Sequence, residues 1–298
     1  MEGIKLSTSH IISNHELTLK INELGAELSA ITDLKTGKEY LWNADETYWK
    51  RHSPVLFPIV GSLKNKEYSY NDSLYSMSQH GFARDMVMKV LEKTENEIWF
   101  ELKADDETKK SYPFDFILKI GYRLEDRKIK VMWDVTNEGN NKMYFQIGAH
   151  PAFNCPIHGE EGKHNYGIDF HTNSETEYTL LTSNGLMKRE SYQLSTKDGV
   201  LKVTDGLFDQ DALIFENLDT KRISLITPDN KAYVTVNFEA PVVGIWSPAG
   251  KDAPFICIEP WYGRCDADDF DGTLKEREWI YELEENESFK AGYEIVIG

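Results

Sequence analysis

The chain has 298 residues, 40% of them hydrophobic and 12% aromatic, which is the composition of a folded protein with a sizeable core and excludes a disordered chain. Its formal charge of −17 repels nucleic-acid phosphates and anionic membranes, and no basic cluster offsets this locally. Three cysteines, Cys155, Cys257 and Cys265, are odd in number and lack CxxC spacing, which argues against a disulfide framework or a Cys-rich zinc site. Free thiols, a start without a signal-peptide apolar region and no run of about 18 apolar residues predict a soluble, cytoplasmic protein.

Leu17, Leu19 and Ile21 alternate with polar residues, and the pattern resumes after Gly25, with turn signals at Asp33 and Thr36-Gly-Lys38; this reads as an opening β-meander. Residues 43–49 suggest a short helix capped by Asp45. The apolar stretch Ser53-Pro-Val-Leu-Phe-Pro-Ile-Val-Gly-Ser62 is broken by two prolines and is not an interior helix. Ile98, Phe100 and Leu102 alternate, as do Phe114, Phe116, Leu118, Ile120, Tyr122 and Leu124. Ile129, Val131, Trp133 and Val135 repeat that period after Glu125-Asp-Arg, so these last two runs predict an antiparallel hairpin.

Residues 137–141 form a turn, and a strand-like run over 144–147 leads into Gly-Ala-His150-Pro-Ala-Phe-Asn-Cys-Pro156. Pro151 forces the chain out of the ladder, so His150 is placed at a sheet rim. The Gly- and charge-rich segment that follows reads as a surface loop, in which His158 and His164 match no metal-ligand spacing and are expected to be solvated. Further strands are expected over 212–215, 223–226 and 233–238. No run of ten residues carries a 3.6 period, and no linker or short repeat divides the chain. The prediction is one all-β sandwich domain over 1–298 with little helix.

Three stretches combine polar chemistry with strand ends: Gln79-His80-Gly-Phe-Ala-Arg84-Asp85, the segment around His150, and Ile256-Cys-Ile-Glu259-Pro-Trp-Tyr-Gly-Arg264. Two histidines and a glutamate suit general acid–base chemistry, each well-placed proton transfer contributing roughly 10²- to 10⁴-fold. They also suit a two-histidine, one-carboxylate metal site, although no pair has the i, i+2 or i, i+4 spacing by which one element offers two ligands. Phe82, Phe153, Trp246, Trp261 and Tyr262 lie in or beside these turns, and flat rings next to carboxylates and imidazoles fit the apolar faces and polar rim of a sugar.

With these stretches in order, the chain resembles the aldose 1-epimerase (mutarotase) family, in particular its bacterial LacX-like branch. The resemblance starts at Glu23-Leu-Gly-Ala-Glu-Leu28 and Lys38-Glu-Tyr-Leu-Trp42. It continues through Leu56-Phe-Pro-Ile-Val-Gly61, His80-Gly-Phe-Ala-Arg84, His150-Pro-Ala-Phe-Asn154 and Glu259-Pro-Trp261. It implies a galactose-mutarotase-like β-sandwich, or supersandwich, of large twisted antiparallel sheets. It also implies interconversion of the α and β anomers of a hexose without cofactor or metal, by a monomer or homodimer.

By this resemblance His150 is the general acid on the ring oxygen, Glu259 the general base on the C1 hydroxyl, and His80 holds the sugar near its ring oxygen. Asp211, with Asp209 as competitor, is the expected sugar-binding aspartate. Arg84, Phe82, Asn154 and Trp246 complete the set, Arg84 either touching the sugar or pairing with Asp85. Ser62 stands where galactose mutarotases carry an arginine, which leaves the sugar open. A hexose-6-phosphate epimerase would need cations, for which Lys64 and Arg84 are the candidates. A non-catalytic sugar-binding protein on the same scaffold is the alternative from another class.

Overall fold

The computed structural model describes residues 8–157 and 162–298; the expectation for His158 falls outside them. The hairpin read from alternation is the centre of the larger sheet. Phe116–Glu125 pairs with Lys128–Asn137 through a two-residue turn at Asp126-Arg127, and inward residues are buried while their neighbours face out. Glu97–Lys103 and then Lys89–Lys93 extend this sheet on one side. On the other side follow Ser288–Ile297, Ala232–Phe238, Arg222–Ile226, Gly167–Asp169 and Val200–Lys202, giving nine antiparallel strands.

An eight-stranded sheet faces it. Its strands run Met187–Gln193, Glu177–Leu181, Leu213–Glu216, Val242–Trp246, Phe255–Tyr262, Ile147–Ala149 and Val55–Leu56, and Ala152–Asn154 also pairs with Phe255–Tyr262. Leu118, Ile120, Val131, Val234 and Ile295 from the nine-stranded sheet meet Phe215, Val243, Ile245, Ile256 and Ile258 from the other. All are buried, and each contributes roughly 1.5–3 kcal/mol of transfer free energy. The N-terminal meander forms as Ser9–Ser13, Leu17–Asn22 and Leu28–Asp33. Helix is confined to the four residues Thr108–Ser111 and short 3₁₀ turns among the described residues, and no helix there is long and apolar enough to cross a membrane.

Two local expectations are corrected. Residues 43–49 form a turn and no helix: Ala44 enters it at φ 60°, Asp45 accepts the Thr47 N–H at 2.9 Å, and its carbonyl accepts from Tyr48 and Trp49, but no further turn follows. The run over 144–147 is not one strand. Met143–Phe145 pairs with Tyr281–Leu283, whereas Ile147–Ala149 joins the eight-stranded sheet. The break falls at Gln146, whose N–H donates to the Pro58 carbonyl and whose Oε1 accepts from the Val60 N–H and from Arg277.

Candidate active site

Period two along Phe255–Tyr262 sorts its side chains. Ile256, Ile258 and Tyr262 enter the core between the sheets; Phe255, Cys257 and Trp261 belong to clusters on the opposite face, which Glu259 shares by parity. Glu259 was expected at a strand end because Pro260 follows it, yet it lies within the strand. The reason is a gap in the ladder. Gly148 pairs with Trp261 and Ala152 with Cys257 in one unbroken register, and between them 149–151 and 258–260 do not pair with each other. Pro151 and Pro260, neither with an N–H to offer, both fall in this gap. The same register sets His150 directly across from Glu259.

Their side chains meet there, His150 Nε2 lying 3.3 Å from Glu259 Oε2. The two residues are only 7% and 1% exposed. Trp49 stacks on the His150 ring at 4.7 Å between centroids, and Trp246 presents its edge at 5.2 Å. Burial lowers the His150 pKa to about 3, helped by the nearby Arg84 charge. Burial raises Glu259 well above the usual carboxylate range, and the Asp211 charge adds to this. Both shifts favour the uncharged forms, a protonated carboxyl beside a neutral imidazole, over an ion pair at this depth. Glu259 Oε2 and His150 Nδ1 have no hydrogen-bond partner.

His80 approaches from a tight turn, with His80 at φ 66° and Gly81 at φ 70°. A Cβ on Gly81 would meet the Phe57 carbonyl oxygen at 2.2 Å, so only glycine lets this turn seat against the sheet. His80 Nδ1 accepts the Gly61 N–H at 3.1 Å, and burial holds the ring neutral. Its proton is then on Nε2, which makes that nitrogen a donor. The His80 and His150 rings stand edge to face, 5.7 Å apart.

A cavity of about 220 Å³ opens over the pair, with Trp49, Trp246, Trp261, Arg84 and Asp211 around it. Trp261 lies across Gly148 and Gly244, where added Cβ atoms would come 2.7 and 2.6 Å from its ring, and its Nε1 donates to the Ala149 carbonyl at 3.1 Å. Arg84 donates to the Gln79 carbonyl at 2.6 Å, and its buried Nε lies 3.8 Å from an Asp85 carboxylate oxygen without a hydrogen-bond partner. Arg51 lies behind it, paired with Asp85.

His80, Arg84, His150, Asp211, Trp246, Trp261 and Glu259 thus converge, and the other expectations do not: Phe153 and Tyr262 lie in the core. Phe82 packs against Phe57, Tyr112 and Phe116 in the core. Asn154 donates to the Glu39 and Leu41 carbonyls and fastens two chain segments. Lys64 donates its ammonium to the Phe270 carbonyl at 2.7 Å. Asp209 lies in a separate cleft with Lys163 and His164, which leaves Asp211 as the aspartate on the cavity. Of the loop histidines, His164 pairs with Asp205 at 3.1 Å. Sequence reasoning missed Trp49, which no periodicity links to His150.

The sequence model of the family described as aldose 1-epimerase matches residues 8–269. The chromosomal protein LacX of Lactococcus lactis subsp. lactis is 31% identical, over 96% of this chain and 98% of its own length. Among solved structures, a galactose mutarotase related enzyme from Lactobacillus acidophilus superposes with TM-score 0.93 at 36% identity, covering 98% of this chain and 97% of that one. A galactose mutarotase-like protein from Lactobacillus casei does so with TM-score 0.91 at 28% identity, covering 98% of this chain and all of that one. The sandwich, the motif order and these matches over the length of the chain agree, and the chain belongs to the aldose 1-epimerase family.

Proposed function

We propose that this protein is a mutarotase that interconverts the α and β anomers of a hexose by opening and reclosing the sugar ring, with no cofactor. The observation that carries this reading is the His150–Glu259 contact at 3.3 Å inside a cavity walled by indole rings. The ring oxygen and the C1 hydroxyl share one carbon, so an acid and a base that touch each other can serve both.

Glu259 takes the proton of the C1 hydroxyl while His150 protonates the ring oxygen. The ring opens, the C1–C2 bond rotates, and the reverse transfers close it on the other face. The shared proton sits on Glu259 in the free cavity. It passes to His150 across the contact as the sugar hydroxyl replaces it as the donor to the carboxylate, so the ion pair exists only with substrate bound. His80 Nε2–H is a fixed donor to the sugar, its tautomer set by Gly61. Arg84 and Asp211 supply a donor and an acceptor at the rim, and the indoles cover the apolar sugar face. No net proton is consumed, which suits a reaction whose two directions are chemically alike.

Polarimetry on freshly dissolved α-glucose, α-galactose and the corresponding hexose 6-phosphates tests this. Wild-type protein accelerates the relaxation of at least one sugar, and His150→Asn and Glu259→Gln each lower kcat by at least about 10²-fold. Relaxation at the buffer rate for every sugar, with binding intact by calorimetry, would leave a sugar-binding protein and sink the enzymatic reading.

A further inference from the structure

The strand that carries Glu259 also brings a thiol to it. Cys257 precedes Glu259 by two residues, so both point to the same sheet face, and it is fully buried. No step of the anomer exchange uses it. On one side it packs with Ala152, Ala253 and Phe255, as a small apolar residue would. On the other, a ring nitrogen of His150, the Cys257 Sγ and a Glu259 carboxylate oxygen all lie within 4.8 Å of one another. Glu259 Oε2 has no hydrogen-bond partner.

Imidazole, thiolate and carboxylate are the ligand types of zinc, and three of them leave a tetrahedral ion one position for water. The thiolate selects a thiophilic ion over Mg²⁺ or Ca²⁺, which prefer oxygen donors. We propose that His150, Cys257 and Glu259 form an inhibitory binding site for a divalent cation of the Zn²⁺ class. The ion enters through the cavity, which His150 and Glu259 line. It sheds water ligands, the thiol and carboxyl protons leave to solvent, and Zn–S, Zn–N and Zn–O bonds form with no change of oxidation state. It then occupies the imidazole and the carboxylate that would move protons, so bound ion and sugar turnover exclude each other. The inhibition rests on the acid–base reading above; the metal site does not.

The test uses chelator-treated full-length protein, with Co²⁺ as a chromophoric probe and Zn²⁺ as competitor. One equivalent of Co²⁺ produces a near-ultraviolet thiolate-to-cobalt band that Zn²⁺ abolishes. Cys257→Ser and Cys257→Ala lose the band and bind Zn²⁺ at least about tenfold more weakly, the low end of what losing even a ligand's supporting partner costs. The Zn²⁺ concentration that halves mutarotation, taken relative to each variant's own metal-free rate, rises by the same factor. Cys265→Ala keeps the wild-type band. No cobalt band in the wild type, an unchanged band in both Cys257 variants, or stoichiometric Zn²⁺ at the site with undiminished mutarotation overturns the proposal. If no sugar is turned over, the Co²⁺ titration still decides the site, so the two readings fail separately.

Discussion

Gly244→Ala probes the floor of the cavity with one methyl group. Gly244 lies opposite Glu259 in the sheet, and its φ is outside the left-handed region, so alanine brings no backbone strain. Its Cβ would come 2.6 Å from Trp261 Cη2 and 2.7 Å from Cζ2. Carbon contacts settle at about 3.5–4.0 Å, so the ring must give by about 1 Å. It cannot slide along the sheet, because its Nε1 is tied to the Ala149 carbonyl and the adjoining Cδ1 already lies against Gly148. The free direction is a tilt into the cavity. Such overpacking costs about 1–3 kcal/mol, offset by the roughly 0.5–1 kcal/mol that alanine gains over glycine in a strand. The expected fall in Tm is a few degrees, at about 2–4 °C per kcal/mol for a large domain. A 1 Å displacement at the substrate face costs about 10²-fold, so kcat/KM falls much further than stability. Scanning fluorimetry and polarimetric kinetics measure both. Val243→Ala, on the core face of the same strand, is the control: it lowers Tm and leaves KM alone. If Gly244→Ala lowers Tm but keeps the wild-type KM, the sugar does not rest on Trp261. If it changes neither, the ring does not lie over Gly244.

Three further outcomes follow from the geometry. His80 has a folded-state pKa well below its unfolded value of 6.5, so its contribution to stability is complete above pH 6.5 and is lost on acidification as the unfolded chain takes up a proton the fold refuses. His80→Gln therefore flattens the fall of unfolding free energy between about pH 6 and 4, by at most about 1.4 kcal/mol per pH unit in denaturant titrations; an unchanged slope contradicts a neutral, buried His80. Trp49→Ala lets water reach the His150 ring and raises its pKa from about 3, so the acid limb of kcat/KM moves to higher pH, and a limb that stays put would show that Trp49 does not shield it. Lys64→Ala changes the rates on free and phosphorylated hexoses by less than about twofold, since its ammonium is held by the Phe270 carbonyl, whereas Arg84→Ala weakens sugar binding by at least about tenfold; a selective loss on the phosphorylated sugar in Lys64→Ala would place a phosphate at that residue.

The sandwich was legible because its strands are half-buried. Ile129, Val131, Trp133 and Val135 alternate with residues that face out, and this alternation is a local property of the chain. His150 and Glu259 were legible as residue types beside prolines, and the family motifs tied them together. Their register was not, because it depends on how Pro151 and Pro260 share one gap between strands far apart in sequence. That is also why Glu259 reads as a strand end when it lies inside one. Sequence proximity misled at Phe82, two residues from His80 but turned into the core, and at Asn154, whose amide is spent on two backbone carbonyls. Trp49 sits in a turn with no period to betray it, and only the packing against His150 reveals its part.

The gap in the ladder also accounts for how a sheet interior tolerates this chemistry. A lone buried charge costs several kcal/mol, and a buried ion pair recovers that only with further hydrogen bonds. Glu259 Oε2 and His150 Nδ1 have none, so a permanent ion pair at this depth would be a poor bargain for the fold. Uncharged carboxyl and imidazole forms, which burial favours for both groups, remove the charge from the resting site. In the proposed mechanism the sugar hydroxyls would bring the missing hydrogen bonds and shift the carboxyl proton to His150, so that the ion pair would form only with substrate bound. On this argument the unpartnered atoms are the functional feature of the site: filling them with a protein donor would stabilise the fold and leave the pair unable to pass its proton.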